Sequence, residues 1–357
     1  MRIGISAFRD NYIRELIINH SKKGVCEITG KTEYVYDTKA DSYVATEFGF
    51  VLDSVILSNN KAGRKIADYF VKWGIIDERL DANIIVREIC HERYAYMPEL
   101  FSQNVVISEL AGRNRRDYYE AHSIMKNATW REFSNHIKQK NRFFPQFFND
   151  AEFKRLFYNC QETIIKGMIL YRARICDEEH YEKLYTTQEM GAPSYLFASA
   201  GRMNSQWEPC LYLCEKKKTT IHEVKARLYD NVCIADFEAK KELNIVNISM
   251  LNNISPFTMG DMDLAWYEIN YINIRDMVND ITKPLRRFDK ELDYIPSQYI
   301  CDFIRLLEFD GIEFSSTLDK QGINYAIFDP KNFHCKKIVM KKIVSMNFED
   351  IELKTSN

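Results

Sequence analysis

The chain has 357 residues, 46% of them apolar and 13% aromatic, which supplies a folded core and excludes wholesale disorder. Its 49 Lys and Arg nearly balance 51 Asp and Glu. The formal net charge of −2 excludes a global attraction to nucleic acid or to an anionic membrane surface. Basic runs at Arg113 to Arg116, Lys216 to Lys218 and Lys336 to Lys342 read as solvated faces.

No apolar stretch approaches the roughly 18 residues of a membrane span, so no membrane partner is expected. The start, Met1-Arg2-Ile3-Gly4-Ile5-Ser6, meets Arg9-Asp10 before a signal-peptide core can form. Cytoplasm is therefore the expected compartment, and nine scattered cysteines suit small core residues kept reduced there.

Along the chain, the first half reads as helices with polar joins. Ala62 to Trp73 places Ile66, Phe70 and Trp73 on one helical face. Asp117 to Met125 and Thr129 to Lys138 read alike, with Thr129 three residues before Glu132 in capping-box spacing. Asn149 to Leu170 reads as a longer helix with an apolar stripe of Phe153, Leu156, Phe157 and Cys160.

Near residue 168 the pattern changes to short apolar strands: Met168 to Ile175, Cys210 to Cys214, Val232 to Phe237, Leu243 to Ile248, Gly311 to Ser315, Asn324 to Phe328 and Lys337 to Ile343. Helices are expected between them at Thr219 to Leu228, Leu264 to Met277 and Ile295 to Phe309. Strands and helices mix without a βαβ rhythm, so the expected class is α+β. The expected organisation is a mainly helical N-terminal domain over residues 1–160, a second domain over 161–345 and a tail over 346–357.

No Walker loop, GxGxxG or GxSxG occurs, so a nucleotide, if handled, is not held by the common cradles. There is no CxxC, Cys90-His91 are adjacent, and Cys210 and Cys214 read as structural; no metal site is expected. His136, His180 and His334 stand alone in polar surroundings and read as surface residues.

Small residues gather around one arginine in Ala198-Ser199-Ala200-Gly201-Arg202-Met203-Asn204. That composition suits a backbone loop approaching a phosphate or carboxylate, and equally a structural loop with a surface arginine. Ile221-His222-Glu223-Val224 sets a carboxylate among apolar neighbours, which is costly unless the group is paired or functional. Ser315-Ser316 end a strand and read first as a turn.

Taken in order, these segments resemble the RES-domain family, named for an arginine, a glutamate and a serine. The resemblance rests on Leu170-Tyr171-Arg172-Ala173-Arg174, Gly191-Ala192-Pro193, Gly201-Arg202-Met203-Asn204, Cys210-Leu211-Tyr212-Leu213 and Ile221-His222-Glu223-Val224. Tyr294 to Ile300, Asp310-Gly311-Ile312 and Ser315-Ser316 before Asn324 complete it, over roughly residues 165 to 345. The resemblance implies a fold similar to ADP-ribosyltransferase toxins and an activity that destroys NAD, often as a toxin restrained by an antitoxin.

The chain looks like the longer variety of the family, with an N-terminal HEPN/RES-associated region. Residues 1 to about 110 resemble that region through Phe8-Arg9-Asp10-Asn11-Tyr12-Ile13 and Gly24-Val25-Cys26. Relatives there carry paired cysteines suited to zinc; here Cys26 stands with Thr29 where a second cysteine would fall.

Carried over by position, the resemblance assigns Glu223, Arg172 and Ser316 to catalysis. It assigns Arg202, Tyr212, Tyr171, Asn204 and Ser315 to NAD binding, with His222 given no role. NAD enters as substrate rather than cofactor, with water or inorganic phosphate as acceptor. ADP-ribosyl transfer to a protein and a non-catalytic binding module are the alternatives, and a homo-oligomer is open.

Overall fold

The computed structural model describes residues 1–58, 63–112, 114–143, 145–258, 263–283 and 291–346. Arg113, Ala62 and the tail from 347 lie outside the described residues. The chain forms two compact units. One comprises residues 1–129, 146–152 and 252–275, the other 130–145, 153–251 and 276 onward.

The first unit begins with β1 (Arg2–Gly4), α1 (Asn11–His20), β2 (Lys22–Val25), β3 (Thr32–Asp37), α2 (Tyr43–Asp53) and β4 (Val55–Leu57). It continues with α3 (Ile66–Lys72), α4 (Ala82–Ile89), α5 (His91–Tyr96), α6 (Glu99–Ser102), β5 (Val105–Ile107) and α7 (Asn114–His122). Aspartates start two of the helices. Asp10 accepts from the Ile13 N–H at 2.9 Å ahead of α1, and Asp81 from Asn83 and Ile84 at 3.0 and 3.3 Å ahead of α4.

Two small antiparallel sheets, β1-β3-β2 and β4-β5, join these helices. They are additions to the helical reading of this half. Ile66, Phe70 and Trp73 are buried as the spacing indicated, within a core that also takes Leu264, Ala265, Tyr267 and Tyr271. Cys26 is buried, and its Sγ accepts from the N–H groups of Gly4 and Thr29 at 3.1 and 3.4 Å. Among the described residues, no three His, Cys, Asp or Glu side chains are grouped to hold a metal ion.

After α8 (Trp130–Gln139) and α9 (Asp150–Tyr158) come β6 (Gln161–Ile164), β7 (Ile169–Ile175), β8 (Leu211–Cys214), α10 (Lys217–Glu223), β9 (Asn231–Ala239) and β10 (Leu243–Asn247). The series ends with α11 (Leu264–Thr282), α12 (Ile295–Leu306), β11 (Gly311–Ser315), β12 (Ile323–Ile327) and β13 (Phe333–Lys342). Eight strands of the second unit form one sheet in the order β13-β9-β7-β8-β12-β11-β10-β6. All neighbours in it are antiparallel except β10 and β11. Leu170, Leu211, Leu213, Ala235, Phe237, Tyr325 and Ile327 share its main apolar core.

Three expectations are corrected. The helix expected over Asn149 to Leu170 ends at Tyr158 and gives way to β6. Its stripe of Phe153, Leu156, Phe157 and Cys160 is buried as expected, but Gly167 at φ 86° turns the chain from β6 into β7. The helix expected to reach Leu228 stops at Glu223, because Lys225 adopts φ 53° and Tyr229 φ 73°. His180 is buried rather than on the surface, with its Nδ1 2.7 Å from Asp177 Oδ1 and its ring stacked on Tyr185. Among the described residues, no helix is long and apolar enough to cross a membrane.

Candidate active site

A cavity of about 400 Å³ opens within the second unit. Tyr171, Arg172, Arg202, Tyr212, Glu223 and Asn324 are among the residues lining it. The sheet brings them together: β8 lies beside β12 with Cys214 opposite Asn324 and Tyr212 opposite Ala326, and β7 meets β8 at Tyr171 and Cys214. Alternation along β8 and β12 then separates Leu211, Leu213, Tyr325 and Ile327, which join the apolar core, from Tyr212, Cys214 and Asn324.

Glu223 is the last residue of α10, where a carboxylate opposes the helix dipole by a few tenths of a kcal/mol. Two donors on one oxygen offset this. Ser316 Oγ donates to Glu223 Oε1 at 2.6 Å, and Asn324 Nδ2 donates to the same oxygen at 2.7 Å. Asn324 is itself buried, and its Oδ1 accepts from the Cys214 thiol at 3.1 Å. Burial, reinforced by the Glu223 charge, pushes the Cys214 thiol up to about 12, so it stays a donor.

The Ser316 hydroxyl is fully occupied. Besides donating to Glu223 it accepts from the N–H groups of Leu318 and Asp319, both at 3.1 Å. It therefore has no bond left for a substrate oxygen. Ser315 is exposed outside the cavity lining, its Oγ 2.9 Å from Ser249 Oγ.

The loop from Ala198 is built as a rigid support. Asn204 is buried, and its Nδ2 lies 2.9, 2.9 and 3.1 Å from the carbonyls of Ser199, Ser205 and Glu208. Its Oδ1 accepts from the Tyr212 hydroxyl at 2.7 Å, and that hydroxyl accepts from the Met203 N–H at 3.1 Å. Asn204 thus organises the loop from beneath and does not line the cavity, a correction to its expected NAD contact. Tyr212 presents its ring to the cavity while its hydroxyl holds the loop.

Gly201 is small for a reason visible here: an added Cβ would lie 2.5 Å from Asn204 Oδ1 and 2.8 Å from the Tyr212 hydroxyl. From α12, Ser297 Oγ donates to the Arg202 carbonyl at 2.8 Å, and Gln298 Nε2 to the Gly201 and Asn204 carbonyls at 2.9 and 3.2 Å. This explains why Tyr294 to Ile300 belongs with the site segments. The Arg202 guanidinium donates through Nη2 to the Lys283 carbonyl at 2.8 Å.

Arg172 is the unsatisfied group of the site. Its Nη1 is shut off from solvent and has no hydrogen-bond partner. Burial first, and the charge of Arg174 second, lower its pKa to about 10. An N–H group buried without a partner costs free energy, which a hydrogen bond to an anion would offset. Tyr171 lies under Lys217 Nζ, 4.8 Å from the ring centroid, while Lys217 pairs with Asp236 at 2.7 Å. Lys217 is thus not simply part of a solvated basic face.

A family model of the RES domain matches residues 169–348, about half of the chain and most of the second unit. The chain belongs to the RES-domain family. The match begins at β7 and ends beyond β13, so it contains Arg172, Arg202, Tyr212, Glu223, Ser316 and Asn324 together. It does not extend to the first 168 residues. No curated protein matches the chain. Among solved structures, the crystal structure of the M. tuberculosis MbcT–MbcA toxin–antitoxin complex matches with 11% identity and a TM-score of 0.31, over 53% of this chain and 91% of that one.

Asn324 is the site residue whose role the sequence did not disclose. Its signal in the sequence was its place after Ser315-Ser316 in the ordered set of family segments, which gives it no role.

Proposed function

We propose that this RES-domain protein degrades NAD by cleaving its nicotinamide–ribose bond. The observation that carries the proposal is the pairing, on one cavity, of a carboxylate held by two donors with an arginine whose buried Nη1 lacks a hydrogen-bond partner. A cationic leaving group on a sugar and a pyrophosphate are the two charges such a pair would meet.

In this reading the C1′–N bond of the nicotinamide riboside breaks, its electron pair leaves with nicotinamide, and nicotinamide departs neutral without a general acid. Positive charge grows on the ribose, and Glu223 stabilises it, an electrostatic role worth several kcal/mol at comparable sites. Water or inorganic phosphate then bonds C1′, yielding ADP-ribose or its 1-phosphate; water's surplus proton passes to solvent. Arg172 and Arg202 would bind the pyrophosphate through charge-assisted hydrogen bonds. The Tyr171 and Tyr212 rings would pack against the nicotinamide half. A likeness to ADP-ribosyltransferase toxins, a cytoplasmic setting and restraint by an antitoxin belong to the same proposal.

Purified protein incubated with NAD, with and without phosphate, is expected to release nicotinamide, followed by chromatography. Glu223→Gln is expected to lower the rate by about a hundredfold or more, as for loss of a positioned charge. Radiolabel transferred to protein instead of free ADP-ribose would make the protein an ADP-ribosyltransferase. Absence of nicotinamide release under every condition would overturn the proposal.

A further inference from the structure

We infer that Asn324 is a positioning residue that, together with Ser316, fixes the Glu223 carboxylate so that Oε2 is the oxygen offered to the substrate. The inference rests on the functional reading above and deepens it. Both donors converge on Oε1, Asn324 at 2.7 Å and Ser316 at 2.6 Å, and among the described residues no hydrogen bond reaches Oε2. A carboxylate whose one oxygen is bonded twice cannot rotate about its terminal torsion without losing both bonds, so its other oxygen has one direction.

The donors are themselves fixed from behind. Cys214 Sγ donates to Asn324 Oδ1 at 3.1 Å, which sets the amide so that its nitrogen, not its oxygen, meets Glu223. Ser316 is held by the Leu318 and Asp319 N–H groups. The same turn is tied to the start of α10, because Thr219 Oγ1 donates to Asp319 Oδ2 at 2.7 Å. A Cβ on Gly322 would lie 2.6 Å from the Thr219 methyl carbon, so the turn packs closely on the helix that carries Glu223. Two elements, β12 and the turn after β11, thereby converge on one oxygen, with β8 holding the first of them through Cys214, and the Ser316 hydroxyl keeps no bond for substrate.

Three measurements test this on the full chain. Asn324→Ala is expected to lower kcat for NAD cleavage about 10- to 100-fold, the cost of misplacing a reacting group, with KM little changed. Asn324→Asp replaces the donor by a carboxyl that must be protonated to donate. Its activity relative to wild type should therefore rise as pH falls from about 8 to about 5.5.

The third measurement needs no turnover. N324D should lower the melting temperature more at about pH 8 than at about pH 5.5, and adding Glu223→Gln, which returns a donor to the pair, should cancel that difference. A raised KM with unchanged kcat in N324A, an activity ratio flat with pH in N324D, or no rescue by E223Q would each overturn the positioning role. Wild-type protein that releases no nicotinamide, beside the expected melting behaviour, would overturn the functional reading instead.

Discussion

Tyr212 shows how much of this site is built from single bonds. Its hydroxyl donates to Asn204 Oδ1 and accepts from the Met203 N–H, while its ring lines the cavity, so one side chain joins β8 to the loop that carries Arg202. Burial pushes its phenol well above the ordinary value, so it remains a donor at any working pH. Tyr212→Phe keeps the ring and leaves two buried groups without partners, a loss of about 1–3 kcal/mol. We expect the variant to melt earlier and to show a raised KM for NAD with a smaller change in kcat, because the loop that presents Arg202 loses its tether. An unchanged KM beside a lowered melting temperature would remove the loop from substrate binding.

At the scale of elements, the sheet that supports the site also contains a carboxyl whose titration is displaced. Asn247 Nδ2 on β10 donates to Glu313 Oε1 on β11 at 2.8 Å and to Glu162 Oε1 on β6 at 3.1 Å. Burial first, and the charge of Glu162 second, raise the Glu313 carboxyl from 4.5 to about 7. Because the folded value lies above the unfolded one, the protonated Glu313 contributes stability fully below about 4.5, and that contribution is lost as pH rises through about 7. Glu313→Gln removes this titration. Thermal melting between about pH 5 and about pH 8 should therefore show wild type losing stability relative to the variant as pH rises. Parallel curves would mean that the two carboxyls are not coupled across the strands.

The same strands show what the sequence discloses. β7 to β12 were legible because their apolar residues alternate or run together over four to nine positions and end at turns. β6 was not, since Gln161-Glu162-Thr163-Ile164 is an edge strand with one buried residue and follows a helix whose stripe is strong. β1 and β2 hide because they are only three and four residues long. At the site, arginine, glutamate and serine were legible as residue types in order. The role of Asn324 depended on which strand lies beside which, a long-range fact that no local pattern encodes.

For the whole molecule, the two units are not successive stretches of chain. The first unit takes residues 252–275 into itself, and a cut near residue 160 therefore does not separate the two. Within that unit Leu264, Ala265, Tyr267 and Tyr271 are at most 8% exposed in a core shared with Phe48, Phe70 and Val86. Glu268 accepts from Trp73 Nε1 at 2.8 Å and from Lys72 Nζ at 2.5 Å, and the Tyr271 hydroxyl donates to the Lys72 carbonyl at 2.6 Å. A fragment of residues 1–160 would expose that core and leave Trp73 and the Lys72 carbonyl without these partners. Losing one large aromatic from a core costs about 3–5 kcal/mol, and a domain holds only about 5–15 kcal/mol in all. The fragment is expected to melt without a cooperative transition and to bind a dye for exposed apolar surface, whereas the full chain does not. Tyr267→Ala in the full chain should act in the same direction, lowering the urea midpoint of the first unit. A fragment 1–160 with a sharp transition like that of the full chain would show that the 252–275 segment is dispensable to this core.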